Sequence, residues 1–228
     1  MIINGEKIRL AYFIPARANS ERFPQKSLAL LGGKPLIAHS IDYAKMDCDQ
    51  DDSIYICTND QAVEDLSKAM NVECLKRSDS VSLPNTTTID TIQHCLKNLN
   101  IFDYLVLLQP TNPLRPKSLL REMMMSMMVN HCESAFSISK SSRKLGTIEN
   151  NNFSPFNYSF GQRSQDLTQL YYENGLMYIS SIKLIEKGEL INQKSLPFVV
   201  DHPFGTVDID FPHDLEWASF LLDKYGNE

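Results

Sequence analysis

Ile8-Arg-Leu-Ala-Tyr-Phe-Ile14 is almost wholly apolar and stops at Pro15-Ala-Arg-Ala-Asn-Ser-Glu-Arg-Phe-Pro-Gln-Lys26; Pro35-Leu-Ile-Ala-His-Ser-Ile-Asp-Tyr-Ala44 follows. The first run is short and continuous, as in a strand buried on both faces. Pro35 suits the opening of a helix, because its fixed φ is pre-organised and its missing N–H would have no helical partner there. Leu36, Ile37, Ile41 and Ala44 then form a buried stripe. Strand, polar loop and helix in this order begin a parallel βα unit.

The pattern repeats outward from that stretch. Ser53–Thr58 reads as a second strand, and Asp60 can cap a helix carrying Val63, Leu66 and Met70. Val72–Leu75 reads as a third strand. Thr88–Asn98 reads as a helix with Ile89, Ile92, Leu96 and Leu99 on one face, and Tyr104–Gln109 as a further strand. Pro116–His131 reads as a helix crowded with Met123, Met124, Met125, Met127 and Met128, which serve either as core filler or as a face covered by a subunit. This alternation implies an α/β, doubly wound, mostly parallel sheet with helices on both faces, closed by right-handed crossovers. Such sheets bind ligands at the carboxyl ends of their strands, which directs attention to the loops after Ile14, Leu75 and Gln109.

Periodicity fades between about Ser141 and Leu170, which is polar and rich in asparagine, and an irregular arm spanning about 141–180 is expected to leave the sheet. Gly175–Ser180 reads as a strand, Val207–Asp210 as a strand end, and Pro212–Tyr225 as a closing helix. The 228 residues suit a single domain, 1–228. A net charge of −6 argues against a nucleic-acid binder that relies on phosphate attraction. The longest apolar runs are far too short to cross a membrane, and the first residues lack the layout of a signal peptide. The five scattered cysteines read as reduced thiols of a cytoplasmic protein.

Three constellations could carry chemistry. Arg17, Arg22 and Lys26 place three cations in one loop of an otherwise acidic chain, with Asn19 and Ser20 leaving backbone amides exposed. Such a loop can wrap a polyphosphate, although it matches neither a P-loop nor a dinucleotide fingerprint, and a solvated surface loop is the alternative. Asp208 and Asp210, two apart in an extended segment, fall on one face with Val207 and Ile209 on the other. Adjacent carboxylates suit a hard divalent ion; a cap for the following helix is the alternative. In Gln109-Pro-Thr-Asn-Pro-Leu-Arg115, two prolines fix a turn that presents the Gln109 amide, a donor and acceptor suited to sugar hydroxyls; a purely structural turn is the alternative.

Ile14-Pro-Ala-Arg17 through Phe23-Pro-Gln-Lys26 resembles the opening motif of the CMP-sugar synthetases, which couple CTP to an eight- or nine-carbon acidic sugar. Leu107–Arg115, Tyr172-Glu-Asn-Gly175 with Tyr178, and Asp208-Ile-Asp210 with Pro212 and Asp214-Leu215 match in the same order and span nearly the whole chain. The Asn-Gly-x-x-Tyr stretch is more similar to the N-acylneuraminate, or sialic acid, branch than to the branch for eight-carbon acids.

The resemblance implies a cytidylyltransferase fold and roles for individual residues. Arg17 and Lys26 would hold the triphosphate, with Arg77 and Thr88 helping to place the nucleotide. Gln109, Arg163, Asn174 and Tyr178 would face the nine-carbon acid. Asp208 and Asp210 would hold Mg²⁺ or Mn²⁺, and Asp208 is also a candidate base. The arm would contribute to a homodimer. Two other classes stay open at this point: a sugar nucleotidyltransferase using UTP or GTP, and a non-catalytic nucleotide-binding relative.

Overall fold

The computed structural model describes residues 1–3, 5–18, 22–78, 81–83, 85–96 and 101–226. Its centre is a seven-stranded sheet of β1 (Leu10–Ala16), β2 (Ser53–Thr58), β3 (Glu73–Lys76), β4 (Tyr104–Leu107), β5 (Ser134–Ser141), β6 (Leu170–Ser181) and β7 (Leu196–Val199). The order across the sheet is β7-β5-β6-β4-β1-β2-β3. The β3-β2-β1-β4 block is parallel, β6 is antiparallel to both β4 and β5, and β7 is parallel to β5. The strand order therefore reverses between β1 and β4, and the loops leaving those strands part to open a crevice.

Among the described residues six helices accompany the strands: α1 (Leu36–Asp47), α2 (Gln61–Ala69), α3 (Thr88–Cys95), α4 (Leu119–Val129), α5 (Ile182–Glu186) and α6 (Asp214–Tyr225). β1 is buried on both faces, as its sequence implies. Leu10, Tyr12 and Ile14 join α1, α2 and α4 in one core cluster, while Ala11 and Phe13 join α3 and α5 in another. Asp60 caps α2 by accepting the Ala62 N–H at 2.9 Å. Thr87 and Asp90 form a reciprocal capping box at α3. Met123, Met124 and Met127 are fully enclosed by the chain's own core, so α4 uses most of its methionines as filler.

Several expectations are corrected. β1 continues past Pro15 to Ala16; its pairing with β4 has ended at Phe13, so the missing proline N–H leaves no ladder bond unmade on that side. The segment after Ser141 is not wholly irregular, because Gly146–Glu149 pairs with Asn152–Pro155 as an antiparallel hairpin. β5 and β7 were not anticipated. In β5, Ser134, Ser137 and Ser139 occupy buried positions and hide the apolar pattern; their hydroxyls bond to Ser195, Met177 and Gly205. Val207–Asp210 is extended but lies outside the sheet. Cys57 on β2 and Cys95 on α3 are joined as a disulfide with Cα atoms 6.8 Å apart, against the expectation of five reduced thiols. These two elements pack in one core cluster and bring the sulfurs together across 38 residues of sequence. Leu99, expected on the face of α3, and Asn19 and Ser20, expected to expose amides, lie outside the described residues.

Candidate active site

A pocket of about 390 Å³ opens at the crevice between β1 and β4, lined among others by Arg17, Arg22, Lys26, Arg77, Thr88 and Gln109. Each cation arrives from a different local device. Arg17 directly follows β1. Lys26 starts a single 3-10 turn after Gln25, whose φ of 53° reverses the chain. Arg77 follows β3; its backbone N–H donates to the Thr58 carbonyl at 2.7 Å, which pins it to the end of β2. Its guanidinium is buried and donates to the Val81 carbonyl. Burial, and then the like charge of Arg17, pushes the Arg77 pKa down. Two arginines turned toward one pocket repel each other until an anion lies between them.

Thr88 opens α3, so the N-terminus of that helix borders the same pocket, with Thr86 and Thr91 beside it. Helix N-termini favour anions through free N–H groups and the aligned peptide dipoles. Cations from two loops and a helix N-terminus thus address one concave space, an arrangement suited to a polyphosphate.

The carboxylates sit at the rim. Asp210 receives Lys26 Nζ at 2.8 Å on one oxygen and Arg22 at 2.7 Å on the other. Burial pushes the Asp210 carboxyl up, but Lys26 and then Arg22 outweigh it and hold the group below the ordinary carboxylate range. The helix-cap alternative for Asp210 does not hold. The N-cap position of α6 is His213, with no side-chain cap bond, and Asp214 accepts the N–H groups of Asp210 and Phe211 at 2.9 and 2.7 Å, before the helix. Asp208 is in the opposite state: burial, then the neighbouring Asp210 charge, pushes its carboxyl up, while Lys26 and the Thr111 hydroxyl pull only partly the other way. Two carboxylates, one of them short of positive charge, form an all-oxygen donor set that fits a hard divalent cation. Among the described residues no group of three or more His, Cys, Asp or Glu could hold a metal, so further ligands would come from a bound phosphate or water.

Gln109 reaches the pocket because its loop is tied down from below. Arg115, buried and without a carboxylate partner among the described residues, donates to the carbonyls of Gln109 at 2.8 Å and Leu176 at 2.6 Å and to the Ser40 hydroxyl at 3.1 Å. Burial pushes its pKa down to about 10. Asn112 donates to the carbonyls of Asn174 and Val207 at 2.9 and 2.8 Å, joining three of the sequence motifs in one network. Gly175, at φ +72°, passes so close that an added Cβ would lie 2.7 Å from Asn112 Oδ1 and 3.0 Å from Gln109 Oε1. Glycine is needed there for both backbone and space.

The structure gathers Arg17, Lys26, Arg77, Thr88 and Gln109 at the pocket, with Asp208 and Asp210 at its edge. Asn174 is placed otherwise. Its side chain is buried, donating to Ser139 Oγ at 2.9 Å and accepting from the Leu176 N–H at 3.1 Å, so it shapes the site and does not line it. Arg163 lies on the exposed arm, paired with Asp166 at 2.8 Å, and is not among the lining residues. Arg22, Thr86, Thr91 and Arg115 emerge from the structure. Arg22 was visible as the third cation of its loop; for Arg115, nothing in the sequence separates a buried tether from a surface arginine.

Solved structures share the fold. A CMP:2-keto-3-deoxy-manno-octonic acid synthetase complexed with CTP shares this fold with a TM-score of 0.67 at 16% identity, over 95% of this chain and 99% of that one. A 4-diphosphocytidyl-2C-methyl-D-erythritol synthase does so with a TM-score of 0.69 at 14% identity, over 96% and 100%. The chain belongs to the cytidylyltransferase family, whose model matches residues 11–203. It is 29% identical over 219 residues to a pseudaminic acid cytidylyltransferase of Campylobacter jejuni, covering 91% of this chain and 94% of the relative. It is also 29% identical over 223 residues to a CMP-N,N'-diacetyllegionaminic acid synthase of Legionella pneumophila, covering 92% and 94%.

Proposed function

We propose that this cytidylyltransferase couples CTP to a nine-carbon nonulosonic acid, giving the CMP-sugar and pyrophosphate. The observation that carries the reading is the convergence of Arg17, Arg22, Lys26 and Arg77 with the N-terminus of α3 on one pocket at the sheet's switch point. The relatives named above supply the sugar class.

In this reading the anomeric hydroxyl of the sugar attacks the α-phosphorus of CTP. A new P–O bond forms, the bond to the bridging oxygen of the β-phosphate breaks, and pyrophosphate leaves. Charge gathers on the α-phosphoryl oxygens and on the leaving group. Lys26 and Arg17 meet it with charges already in place, which needs no reorganisation during the step. Arg77 and Thr88 position the nucleotide, and Gln109 and Tyr178 face the sugar. Asp208, whose carboxyl is raised, takes the proton of the attacking hydroxyl. Asp208 and Asp210 would hold Mg²⁺ or Mn²⁺, which supplies Lewis-acid neutralisation of phosphate charge. Asp210 would then exchange its present partners for the ion.

The exposed arm supports a homodimer. Ile148, Phe156 and Phe160 are 74%, 75% and 72% exposed, and Phe153, Tyr158 and Phe160 form a ring cluster with centroids 6.2–6.5 Å apart. In a dimer the arm brings Arg163 toward the partner's sugar. No described helix is long and apolar enough to cross a membrane. The supply of CTP favours a cytoplasmic reaction.

The test is pyrophosphate release with CTP, UTP, ATP or GTP, each paired with pseudaminic, N,N'-diacetyllegionaminic and N-acetylneuraminic acid. CTP with at least one acid is expected to exceed the other nucleotides by more than tenfold. Equal turnover with UTP, or none with any acid, would overturn the reading.

A further inference from the structure

β6 is interrupted where it passes the site. Glu173 lies opposite Ile138 of β5 and Tyr178 opposite Phe136, so five steps along β6 match two along β5 and the intervening residues bulge out. The bulge is fixed from several sides. Ser137 Oγ accepts the Met177 N–H at 3.0 Å, Arg115 donates to the Leu176 carbonyl, and Asn112 donates to that of Asn174. The excursion folds Tyr178 back over the start of its own bulge, where its hydroxyl donates to the exposed Glu173 carboxylate at 3.0 Å. Tyr178 also lies opposite Leu107 of β4, two residues before Gln109. Residues opposite or two apart share a face, so the tyrosine and the pocket amide lie on the same side of the sheet.

A phenol has one proton to give. With that proton directed at Glu173, the Tyr178 oxygen offers only lone pairs to anything that approaches. The Glu173 carboxylate is bonded to the phenol, and the Asp208 charge also acts on it. Burial first, then these two carboxylates, pushes the Tyr178 pKa above the usual tyrosine range, so the phenol stays neutral at working pH. A carboxylate docking here would meet the Glu173 charge and no proton. A hydroxyl or amide N–H would find a ready acceptor.

We propose that Glu173 is a positioning residue that fixes the hydrogen-bond polarity of Tyr178, so that this corner of the site accepts a hydroxyl or N-acyl N–H of the acidic sugar and turns its carboxylate away. This rests on the function proposed above and adds an orientation rule to it. Sugar carboxylate and N-acyl substituent are sorted to different ends of the site by the Glu173 anion that holds the phenol's proton.

The experiment uses the full chain with CTP and the three acids of the panel. Tyr178→Phe removes the acceptor and keeps the ring. Glu173→Gln keeps the size but offers the phenol a donor as well as an acceptor, so the fixed polarity is lost; because Glu173 is exposed, this variant folds whether or not the tyrosine variant does. Tyr178→Phe is expected to raise the KM for the sugar about tenfold, and Glu173→Gln about threefold to tenfold, on the scale of one lost hydrogen bond. The calorimetric Kd for CTP should stay within twofold in both. Glu173→Gln should also narrow the ratio of kcat/KM between N-acetylneuraminic acid and its analogue lacking the N-acyl N–H. An active Glu173→Gln enzyme with unchanged sugar KM and unchanged ratio would overturn this inference alone. A shift confined to CTP affinity would do the same. A wild-type chain inactive with all three acids would overturn the functional reading together with it.

Discussion

The cation pocket is assembled within one chain and held from beneath: Arg77 by the end of β2, Gln109 by Arg115, and Lys26 by Asp210. Between β5 and β6 in the chain, the hairpin of 146–155 and the residues after it leave Ile148, Phe156 and Phe160 largely exposed. The contrast separates two kinds of order. Around the pocket, like charges and buried polar groups are fixed in position before any ligand arrives, which costs stability and favours chemistry. On the arm, apolar area waits for something to cover it. Burying Ile148, Phe156 and Phe160 would contribute about 1.5–3 kcal/mol for each side chain.

The largest expected effect lies in the pocket. Lys26→Ala should lower kcat about 10²–10³-fold while changing the KM for CTP far less, because a charge matched to the transition state acts on the chemical step. Initial rates over a CTP titration decide this. A change confined to KM would make Lys26 a binding residue and would blur the distinction between a pre-set pocket and a waiting arm.

Substitution on the arm should give the converse pattern. Phe156→Ser with Phe160→Ser is expected to shift a homodimer to monomer at micromolar concentration, read by light scattering, and to lower kcat/KM for the sugar about tenfold. The CTP Kd should stay within twofold, since the cations that bind it belong to one chain. A wild-type monomer would remove the dimer from the account, and loss of CTP binding in the variant would show that the pocket itself needs the partner.

The same division governs what the sequence made legible. The parallel half was readable because its strands are continuous apolar runs, its helices carry capping residues such as Asp60, and its cations stand together in one loop. The antiparallel half was not. β5 buries serines whose hydroxyls find partners only in the folded chain, and β7 carries a proline, which is tolerated at a sheet edge. Asn174 and Gly175 were recognised as a motif but assigned by type: an amide suggests a ligand contact, whereas here it fastens a bulge to Ser139 and lets the chain pass Gln109. Asp208 and Asp210 were read as a pair of metal ligands on one face, with Asp208 also a candidate base. Only the three-dimensional arrangement shows that Lys26 and Arg22 serve one of them and leave the other to burial.

That inequality gives the smallest and most specific expected effect. Metal-free stability should respond to Asp208→Asn and Asp210→Asn with opposite sign at pH 7. The folded-state pKa of Asp208 is raised, so its contribution to stability is fully present below the unfolded value and lost as pH rises through the folded one. At pH 7 it is charged at a cost, and the neutral amide should hold or raise the melting temperature. The folded-state pKa of Asp210 is lowered, so its contribution is present above the unfolded value and lost as pH falls through the folded one. Asp210→Asn should therefore lower the melting temperature at pH 7. Lys26 is the larger and less exposed partner, while solvent screens the pair with Arg22, so the loss is about 1 kcal/mol, or about 2–4 °C for a chain of this size. The Asp208 difference should shrink first as pH falls through its raised folded-state pKa, and the Asp210 difference only at lower pH, as pH falls below the unfolded value and through its lowered folded-state pKa. Thermal scans of the two variants and wild type in chelator, from pH 3 to pH 8, provide the measurement. Melting temperatures that move the same way at pH 7 would mean that the two carboxylates are equivalent and that Lys26 and Arg22 do not hold Asp210 in solution.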